Sequence, residues 1–242
     1  MMKTSKSQQE QTRRTLIRTA VDLMTEHGYE GTTMKQIARA AGIGDATIYK
    51  YFPTKEKLLL AYYELAIEVV LELVLETPGW EEFTLQERLQ RLLDAFLELL
   101  LADREFVQMT REVVGQSPLL MMRDKLPGQA LFKTTIVEFL NDAEERNEIA
   151  PCDFKNLIGG LFVDYVFAII AYWLKDESEE FSDTTQLVDL TLAVLVMALQ
   201  SGLINKLTDL GGFLVRNQLS RLMQNGSGLL DTLKLFRRDG GH

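Results

Sequence analysis

One stretch of the chain combines two short apolar helix patterns with a glycine turn. Residues 33–52 read TMKQIARAAGIGDATIYKYF. Two helices that cross steeply need a small residue where they touch, which Ala38 supplies, and a tight turn, for which Gly42 is suited. The apolar side chains expected to fill the crossing are Ile37, Ala41, Ile43 and Ile48. The spacing therefore predicts a helix-turn-helix, a motif whose second helix enters the major groove of double-stranded DNA.

The two helices of this motif carry polar and basic residues where a DNA-contacting element needs them. Short side chains near the start of the second helix can approach base edges, and aromatic hydroxyl and amino groups around it can bind phosphates. Thr33 and Gln36 are spaced as a capping box at the start of the first helix, whose exposed amides can also hold a phosphate. The residues that we expect to contact DNA are Thr32, Thr33, Gly44, Asp45, Ala46, Thr47, Tyr49, Lys50, Tyr51 and Lys55.

Four of these residues have a second interpretation. Asp45 would repel phosphates, but it could accept a hydrogen bond from a cytosine amino group or cap its own helix. Tyr49 and Tyr51 either bind phosphates or pack against neighbouring helices. Lys55 lies in the first turn of the next helix, which is unfavourable for the helix dipole and so favours a phosphate contact over solvation alone. The base sequence that the motif would bind does not follow from these residues.

A longer stretch, from Arg13 to Leu59, resembles the N-terminal domain of the TetR family of bacterial transcriptional regulators. The resemblance rests on the runs LIRTAVDLMTEHGYEGTTM, IARAAGI and TIYKYFPTKEKLL. It implies a homodimeric, ligand-responsive DNA-binding repressor with an all-helical body. The segment after about Leu203 is longer than the resemblance requires, and its role is open.

The charge is distributed unevenly along the chain. The 242 residues have a formal net charge of −9, which alone argues against a nucleic-acid partner. Residues 1–60 nevertheless contain ten Lys and Arg against six Asp and Glu, a charge of +4, so the rest of the chain carries −13. A basic N-terminal part on an acidic body indicates two parts with different partners, although solvated faces can give the same asymmetry by chance.

Helical spacing and capping signals predict an all-α protein, because strand-like alternation is absent from the sequence. We predict a helix-turn-helix DNA-binding domain over residues 8–54, a connecting helix over 55–76, and a larger helical ligand-binding and dimerisation domain over 77–242. Within this scheme, the individual helices are expected at 10–27, 33–41, 45–51, 54–76, 84–102, 103–114, 128–147, 153–175 and 183–204, with a short one between Pro118 and Pro127 and a final basic one ending at Arg238.

Aromatic and sulfur side chains of the body could line a pocket for a small apolar effector, although most of them are equally suited to a plain core. Asp164, Arg111 and Glu112 are candidate polar anchors in such a pocket. The residues that we expect to line it are Phe106, Met109, Met122, Phe132, Phe162 and Tyr165.

The helices at 153–175 and 183–204 are too apolar to stay exposed on a soluble monomer, so the sequence predicts a two-fold homodimer that buries their faces. We expect one of the two adjacent glycines near a close helix contact, and Asp164 could bond across the same interface. The predicted interface residues are Gly159, Gly160, Val163, Phe167, Leu187, Leu190 and Val194.

Residues 157–174 are also long enough for a membrane test, with 18 residues and one charge, Asp164. A charge at the centre of a spanning helix costs about 2.5–3.5 kcal/mol. A helix that is buried on nearly all sides in a water-soluble protein gives the same pattern. The polar N-terminus, MMKTSKSQQE, is unlike a secretory signal. We therefore expect a cytoplasmic protein without a membrane partner.

Chemistry other than binding has little support in the sequence. Cys152 is the only cysteine and His27 and His242 are the only histidines, so we expect no intramolecular disulfide, no Cys/His zinc site and no cofactor. The nucleophile-elbow, phosphate-loop and dinucleotide-binding patterns of enzymes are absent. The alternative function is a helical carrier or receptor for a lipid-like molecule without DNA binding, against which Lys50 and Lys55 argue.

Overall fold

The computed structural model describes residues 6–115 and 127–217 of the chain. These ranges form α-helices and contain no strand, which confirms the all-α prediction. The short helix expected before Pro127 and the basic helix expected near Arg238 lie outside the described residues. The helices are α1 (Lys6–His27), α2 (Met34–Ala40), α3 (Asp45–Tyr51), α4 (Lys55–Leu75), α5 (Leu85–Leu101), α6 (Arg104–Gly115), α7 (Pro127–Glu145), α8 (Lys155–Trp173) and α9 (Ser182–Gln200), and residues 203–217 are also helical.

The starts of three helices are fixed by threonine caps. Thr33 before α2 and Thr84 before α5 each form a capping box with the third residue of the helix. The threonine hydroxyl oxygen accepts a hydrogen bond from the backbone N–H of that residue, and the side chain of that residue accepts one from the backbone N–H of the threonine. Thr54 caps α4 by accepting from the backbone N–H of Lys57. These caps satisfy amides that would otherwise lack a partner in the first helical turn, so the sequence alone could locate the helix starts.

The N-terminal part, which we call the head (residues 6–54), has an apolar core that also takes in residues of the body. Leu16, Ile37 and Ile48 are fully buried at its centre. Phe106 of α6 and Trp173 at the end of α8 belong to the same buried cluster. The head therefore packs against the rest of the chain through α4 and α6, and the buried cluster extends from there to the end of α8.

A second buried cluster holds the body together. It joins α4, α5, α7, α8 and α9 through apolar side chains, among which Phe132 packs edge-on against Phe96 at 5.5 Å between ring centroids. Arg88 is the charged residue inside this region, and its guanidinium pairs with Asp142. The division of the chain at residues 54 and 76 remains a prediction, because the two clusters cross those boundaries.

Polar contacts fix the corner between α8 and α9. Arg104 donates from one Nη atom to the carbonyl oxygens of Trp173, Leu174 and Asp176, and so it caps the C-terminal end of α8 with a cation. The Asp176 carboxylate accepts hydrogen bonds from the side chains and the backbone amides of Ser178 and Thr184. These four donors hold the pKa of Asp176 well below its usual range, and they fix the start of α9.

The helix predicted over residues 183–204 ends earlier than expected. α9 stops at Gln200, and Gly202 adopts a φ of +65°, a left-handed conformation that suits glycine. A separate helical segment follows over residues 203–217, anchored near its start by Asn205, which donates to the carbonyl of Pro151 at 2.6 Å. The pair Ser201-Gly202 is a possible break signal in the sequence, but the apolar residues that follow it extended the predicted helix to residue 204.

Two segments, Lys155–Trp173 and Glu179–Gln200, are long and apolar enough by composition to cross a membrane. Core helices of water-soluble proteins pass the same test, so this finding is weak support for a membrane location. Both helices bury one side against the body, where Phe162 and Leu192 are among their most enclosed residues.

Candidate nucleic-acid interface

The crossing of α2 and α3 is built as the sequence predicts. Ala38 and Ile48 are both fully buried, so the small residue lets the helices approach and the isoleucine fills the contact. Gly42 turns the chain with a φ of +69°, and the backbone N–H of Ile43 donates a hydrogen bond to the carbonyl of Ala38 at 2.8 Å. This turn fixes the direction in which α3 leaves the crossing.

The outer face of α3 is exposed. Ala46, Tyr49 and Lys50 lie on the surface, and the Tyr49 side chain is 46% exposed. Thr47 is half-buried beside them. A small methyl, a hydroxyl, a phenol and an ammonium are thus available on one short helix, and they suit contacts to bases and phosphates.

The start of α3 contradicts one of the two interpretations of Asp45, that its side chain caps the helix. Gly44 is the N-cap residue, and Asp45 follows it in the first turn, so Asp45 does not cap the helix through its side chain. Its exposed carboxylate is favourably placed for the helix dipole, which accounts for an acidic residue at this position. Gly44 and Asp45 both remain predicted DNA contacts at the tip of α3.

Two predicted phosphate contacts are wrong because their polar groups point inward. The Thr32 side chain is buried, and its hydroxyl donates to the carbonyls of Leu23 and Gly28. The Lys55 ammonium donates to the carbonyl of Tyr29 at 2.5 Å and to that of Thr32 at 3.0 Å, and it lies 4.1 Å from the centroid of the Tyr29 ring. Both residues hold the loop between α1 and α2.

The two remaining predicted DNA contacts, Thr33 and Tyr51, differ in their exposure to solvent. Thr33 is exposed at the start of α2, where its hydroxyl also donates to Gln36. Tyr51 is half-buried and packs against the core of the head, so the structure favours its packing role. Sequence reasoning missed Lys35 and Lys57, which are exposed in the first turns of α2 and α4. Their position within one turn of a capped helix start was the signal for both.

A network of polar contacts joins the head to the body. Asp103, between α5 and α6, accepts from Arg18 of α1 at 2.9 Å and from the Tyr62 hydroxyl of α4 at 3.1 Å. The next residue, Arg104, caps α8. Burial and the Asp103 charge raise the pKa of Tyr62, so its hydroxyl stays protonated and donates. We call Arg18, Tyr62, Asp103 and Arg104 the junction network.

The predicted effector pocket does not form as one site. Phe132, Phe162 and Tyr165 do lie together, with ring centroids 6.3 Å and 5.4 Å apart, but they fill the body core. Phe106 and Met109 belong instead to the cluster of the head, because α6 packs against α1. Met122 lies outside the described residues. The proposed anchors Arg111 and Glu112 are exposed on α6, and Asp164 is half-buried on α8.

A small, partly open cavity lies elsewhere, between α4, α6, α7 and α8. Its volume is about 30 Å³, and its walls are mostly apolar, with Ile67 and Phe167 among them. The side chain of Gln129 borders the cavity, is 7% exposed, and has an Oε1 atom without a hydrogen-bond partner. Tyr63 also borders it and shares a hydrogen bond with Thr110 at 2.8 Å. Burial raises the pKa of Tyr63 to about 12.

The predicted dimer residues fall into two groups. Leu190 and Val194 are 60% and 66% exposed on α9, and Gly160 faces open space on α8. Gly159 instead faces α7 of its own chain and Val163 is buried in the body core, so these two predictions are wrong. Leu187 is half-buried beside that core and stays a predicted interface residue. Phe167 is 39% exposed but borders the cavity just described. Exposed apolar residues that the prediction missed are Leu157, Leu161 and Met197.

Within the described ranges no cluster of three or more His, Cys, Asp or Glu residues could hold a metal ion. Cys152 is buried, and its backbone N–H donates to Glu144 at 3.0 Å.

Comparison with known proteins relates both parts of the chain to one family. Residues 16–62 match the family model described as bacterial regulatory proteins of the tetR family, and residues 88–214 match the tetracyclin repressor-like C-terminal domain. The fatty acid metabolism regulator protein of Bacillus subtilis is 31% identical over 104 residues, covering 43% of this chain and 53% of that protein. The regulator AcrR of Shigella flexneri is 25% identical over 194 residues, covering 75% and 90%.

Solved structures show the same fold. The regulator FadR of Bacillus subtilis in complex with stearoyl-CoA has a TM-score of 0.56 and 22% identity, covering 78% of this chain and 98% of that one. A TetR-family regulator of Pectobacterium atrosepticum has a TM-score of 0.55 and 20% identity, covering 81% and 97%. Because the second family model alone spans more than half of the sequence, the chain belongs to the TetR family and is a ligand-responsive, DNA-binding transcriptional regulator.

Proposed function

We propose that the protein is a cytoplasmic, homodimeric repressor that binds a roughly palindromic operator and leaves it when a small apolar molecule binds the body. The observation that carries this proposal is the exposed face of α3, held by a buried crossing on a head that packs directly against α4 and α6. Such packing allows a displacement in the body to change the position of the recognition helix.

The DNA-binding part of the proposal assigns different roles to two neighbours on α3. Thr47 carries a short polar group suited to base edges, and Lys50 carries an exposed ammonium suited to phosphates. Lys50→Ala should weaken binding to all sequences and make the slope of log affinity against log salt shallower by about 0.9. Thr47→Ala should instead change the preference among operator variants.

These variants are compared by fluorescence anisotropy with the DNA upstream of the protein's own gene. Lys175→Ala is the matched control, because Lys175 is exposed beyond the end of α8, outside the helix-turn-helix. It should leave both the salt slope and the preference unchanged. Equal affinity of wild type and Lys50→Ala at every salt concentration would contradict the DNA-binding face, and it would favour the carrier alternative.

The small cavity between α4, α6, α7 and α8 is the effector site that we propose. A volume of about 30 Å³ holds little more than a water-sized group, so a longer molecule enters only if α4 and its neighbours move apart. That movement would couple binding to the head. The unpaired Gln129 Oε1 can accept a hydrogen bond from the ligand, while the apolar walls select a hydrocarbon chain. The fatty acid regulator among the relatives supports this class.

Stearoyl-CoA is a suitable first probe, because the Bacillus subtilis FadR structure contains it. It should weaken operator binding by the wild type, and Ile67→Trp, which fills the cavity wall, should reduce this effect at least about tenfold. Leu73→Trp is the control, because Leu73 is 43% exposed on the same helix. An equal response of Ile67→Trp and wild type would refute this location of the effector site.

The dimer is proposed from the apolar faces that the body leaves uncovered on α8 and α9. Leu161 and Val194 are 57% and 66% exposed there, more than is usual for a soluble monomer. A two-fold dimer would cover them and set two recognition helices about 34 Å apart. Val194→Lys should give monomer or aggregate and lose operator binding. Leu131→Lys should stay dimeric, because Leu131 is an exposed residue of α7, outside the proposed interface. Light scattering after gel filtration measures both; a wild-type monomer at micromolar concentration would overturn the assembly.

A further inference from the structure

A second cavity lies where the head meets the body, and nothing in the proposed function uses it. It has a volume of about 170 Å³ and is bounded by α1, α4 and the end of α5. Ile17 and Val21 of α1 form one wall, and Leu65 and Val69 of α4 form the other. It is separate from the effector cavity, since the two have no lining residue in common.

The size and walls of this cavity define the apolar part of a ligand. An enclosed apolar protein cavity of about 150 Å³ is known to hold a benzene molecule. The cavity here is partly open to solvent, so its volume suits a compact ring or a short branched chain and its open side leaves room for a polar group. Leu99 of α5 adds a further aliphatic surface to the lining. Filling the cavity would give all three helices an additional contact partner.

The charges at the cavity define the polar part of the ligand. Two arginines line it, Arg14 and Arg18, with side chains 49% and 61% exposed. One carboxylate, that of Asp103, also lines it and pairs with Arg18. Arg18 is engaged at both Nη atoms, by Asp22 and by Asp103. Arg14 pairs with Glu10 through Nε at 3.0 Å, an exposed pair of the kind that contributes little to stability. Arg14 can therefore turn its guanidinium to a carboxylate on a bound molecule.

We propose that this cavity is a second ligand site, which takes a compact apolar group bearing one carboxylate, such as an aromatic acid. The apolar group lies between α1 and α4, and the carboxylate pairs with Arg14. A molecule bound there touches the head, the connecting helix and the body at once, next to Arg18 and Tyr62 of the junction network. The site does not depend on the proposed effector or on operator binding.

The first test is binding of benzoate to the full-length protein without DNA, measured by isothermal titration calorimetry. Benzoate should bind saturably to wild type. Val69→Phe fills the cavity from α4 and should weaken binding at least about tenfold, while Leu73→Phe, one turn further along α4, should leave it unchanged. Leu65→Phe repeats the test from another wall if the Val69 variant fails to fold. Absence of saturable binding, or unchanged binding by the filled variants, overturns the site.

The second test separates the apolar and anionic parts. Benzyl alcohol and benzylamine should bind more weakly than benzoate, and Arg14→Gln should weaken benzoate binding about two- to fivefold, as expected for an exposed ion pair. Equal binding of all three compounds would overturn the assignment of a carboxylate ligand. The Ile67→Trp variant should bind benzoate as wild type does; a parallel loss would mean that benzoate occupies the effector cavity instead.

Discussion

Lys55 gives the sharpest test of the structural assignment, because sequence and structure give it different roles. The spacing predicts a phosphate contact, which would make its loss visible in the salt dependence of DNA binding. In the structure its ammonium is held by two backbone carbonyls, of Tyr29 and Thr32, and by the face of the Tyr29 ring. Its loss should then be visible in the stability of the fold.

The magnitude follows from these contacts. A hydrogen bond to a charged group contributes about 1.5–3 kcal/mol, and two carbonyls share the single ammonium. Lys55→Met keeps the aliphatic stem and removes only the charged donor. Since the side chain is half-buried, water can partly replace the donor. We expect a loss of about 2–3 kcal/mol in the free energy of unfolding, measured by urea denaturation at fixed protein concentration.

Lys50→Met is the matched control, because it makes the same chemical change at an exposed lysine of α3. It should change the free energy of unfolding by less than about 0.5 kcal/mol, but it should make the salt slope of DNA binding shallower by about 0.9. Lys55→Met should do the reverse. If Lys55→Met were as stable as wild type and showed the shallower slope, the loop-holding role would be wrong.

Three further outcomes are expected. Gly159→Ala should destabilise the fold, because its Cβ would lie 3.2 Å from a backbone oxygen of α7, whereas Gly160→Ala should be neutral or stabilising by up to about 1 kcal/mol, as thermal unfolding can show. Asp176→Asn should be less stable than wild type at pH 7. Because the folded-state pKa of Asp176 is lowered, the stability that its carboxylate contributes is present above the unfolded pKa and is lost as the pH falls through the folded pKa. The difference in the free energy of unfolding between the two proteins should therefore shrink in urea titrations at acid pH. Asp103→Asn keeps an acceptor for Tyr62 but loses the charge that pairs with Arg18, so it should cost less than about 1 kcal/mol of stability and reduce the effect of effector on operator affinity.

Local signals allowed the helix-turn-helix to be predicted, and long-range contacts account for what was missed. The capping box at Thr33 and the glycine at residue 42 act over three or four positions, so the sequence contains the whole cause of the α2–α3 geometry. Thr32 and Lys55 point inward because the loop between α1 and α2 has carbonyls that need donors. The Lys55 partner Tyr29 is 26 residues away, and no spacing rule indicates that distance.

The body shows the same limit. Phe106 was grouped with Phe132 because both are aromatic, but α6 turns toward α1 and takes Phe106 into the head. The sequence pattern does not show which of Gly159 and Gly160 lies at a close helix contact. The two point in different directions on α8, but the helix is apolar on nearly all sides, so neither direction is marked as the buried one. Only the position of α7 decides that Gly159 is the one in close contact.

The connection between head and body has two parts, which changes how the regulator can transmit a signal. α4 is a continuous helix of 21 residues without Pro or Gly, about 32 Å long at 1.5 Å per residue, and it carries both Tyr62 of the junction network and Ile67 of the effector cavity. A rigid rod alone would turn any displacement at Ile67 into motion of the head. Here, however, Asp103 also binds α1 directly through Arg18, and Arg104 beside it caps α8.

The head is therefore attached to the body by the Arg18–Asp103 pair as well as by α4, and this pair opposes a displacement of α4. If α4 moves away from α6 to admit a ligand, the Tyr62–Asp103 bond and the shared apolar cluster at Phe106 must either break or carry α6 along. In the first case the head pivots about Arg18, and in the second the end of α8 moves with it through Arg104. With the effector site proposed above, both cases would alter the orientation of α3, since the head has one continuous core, and both would place Asp103 at the point where the proposed motion divides.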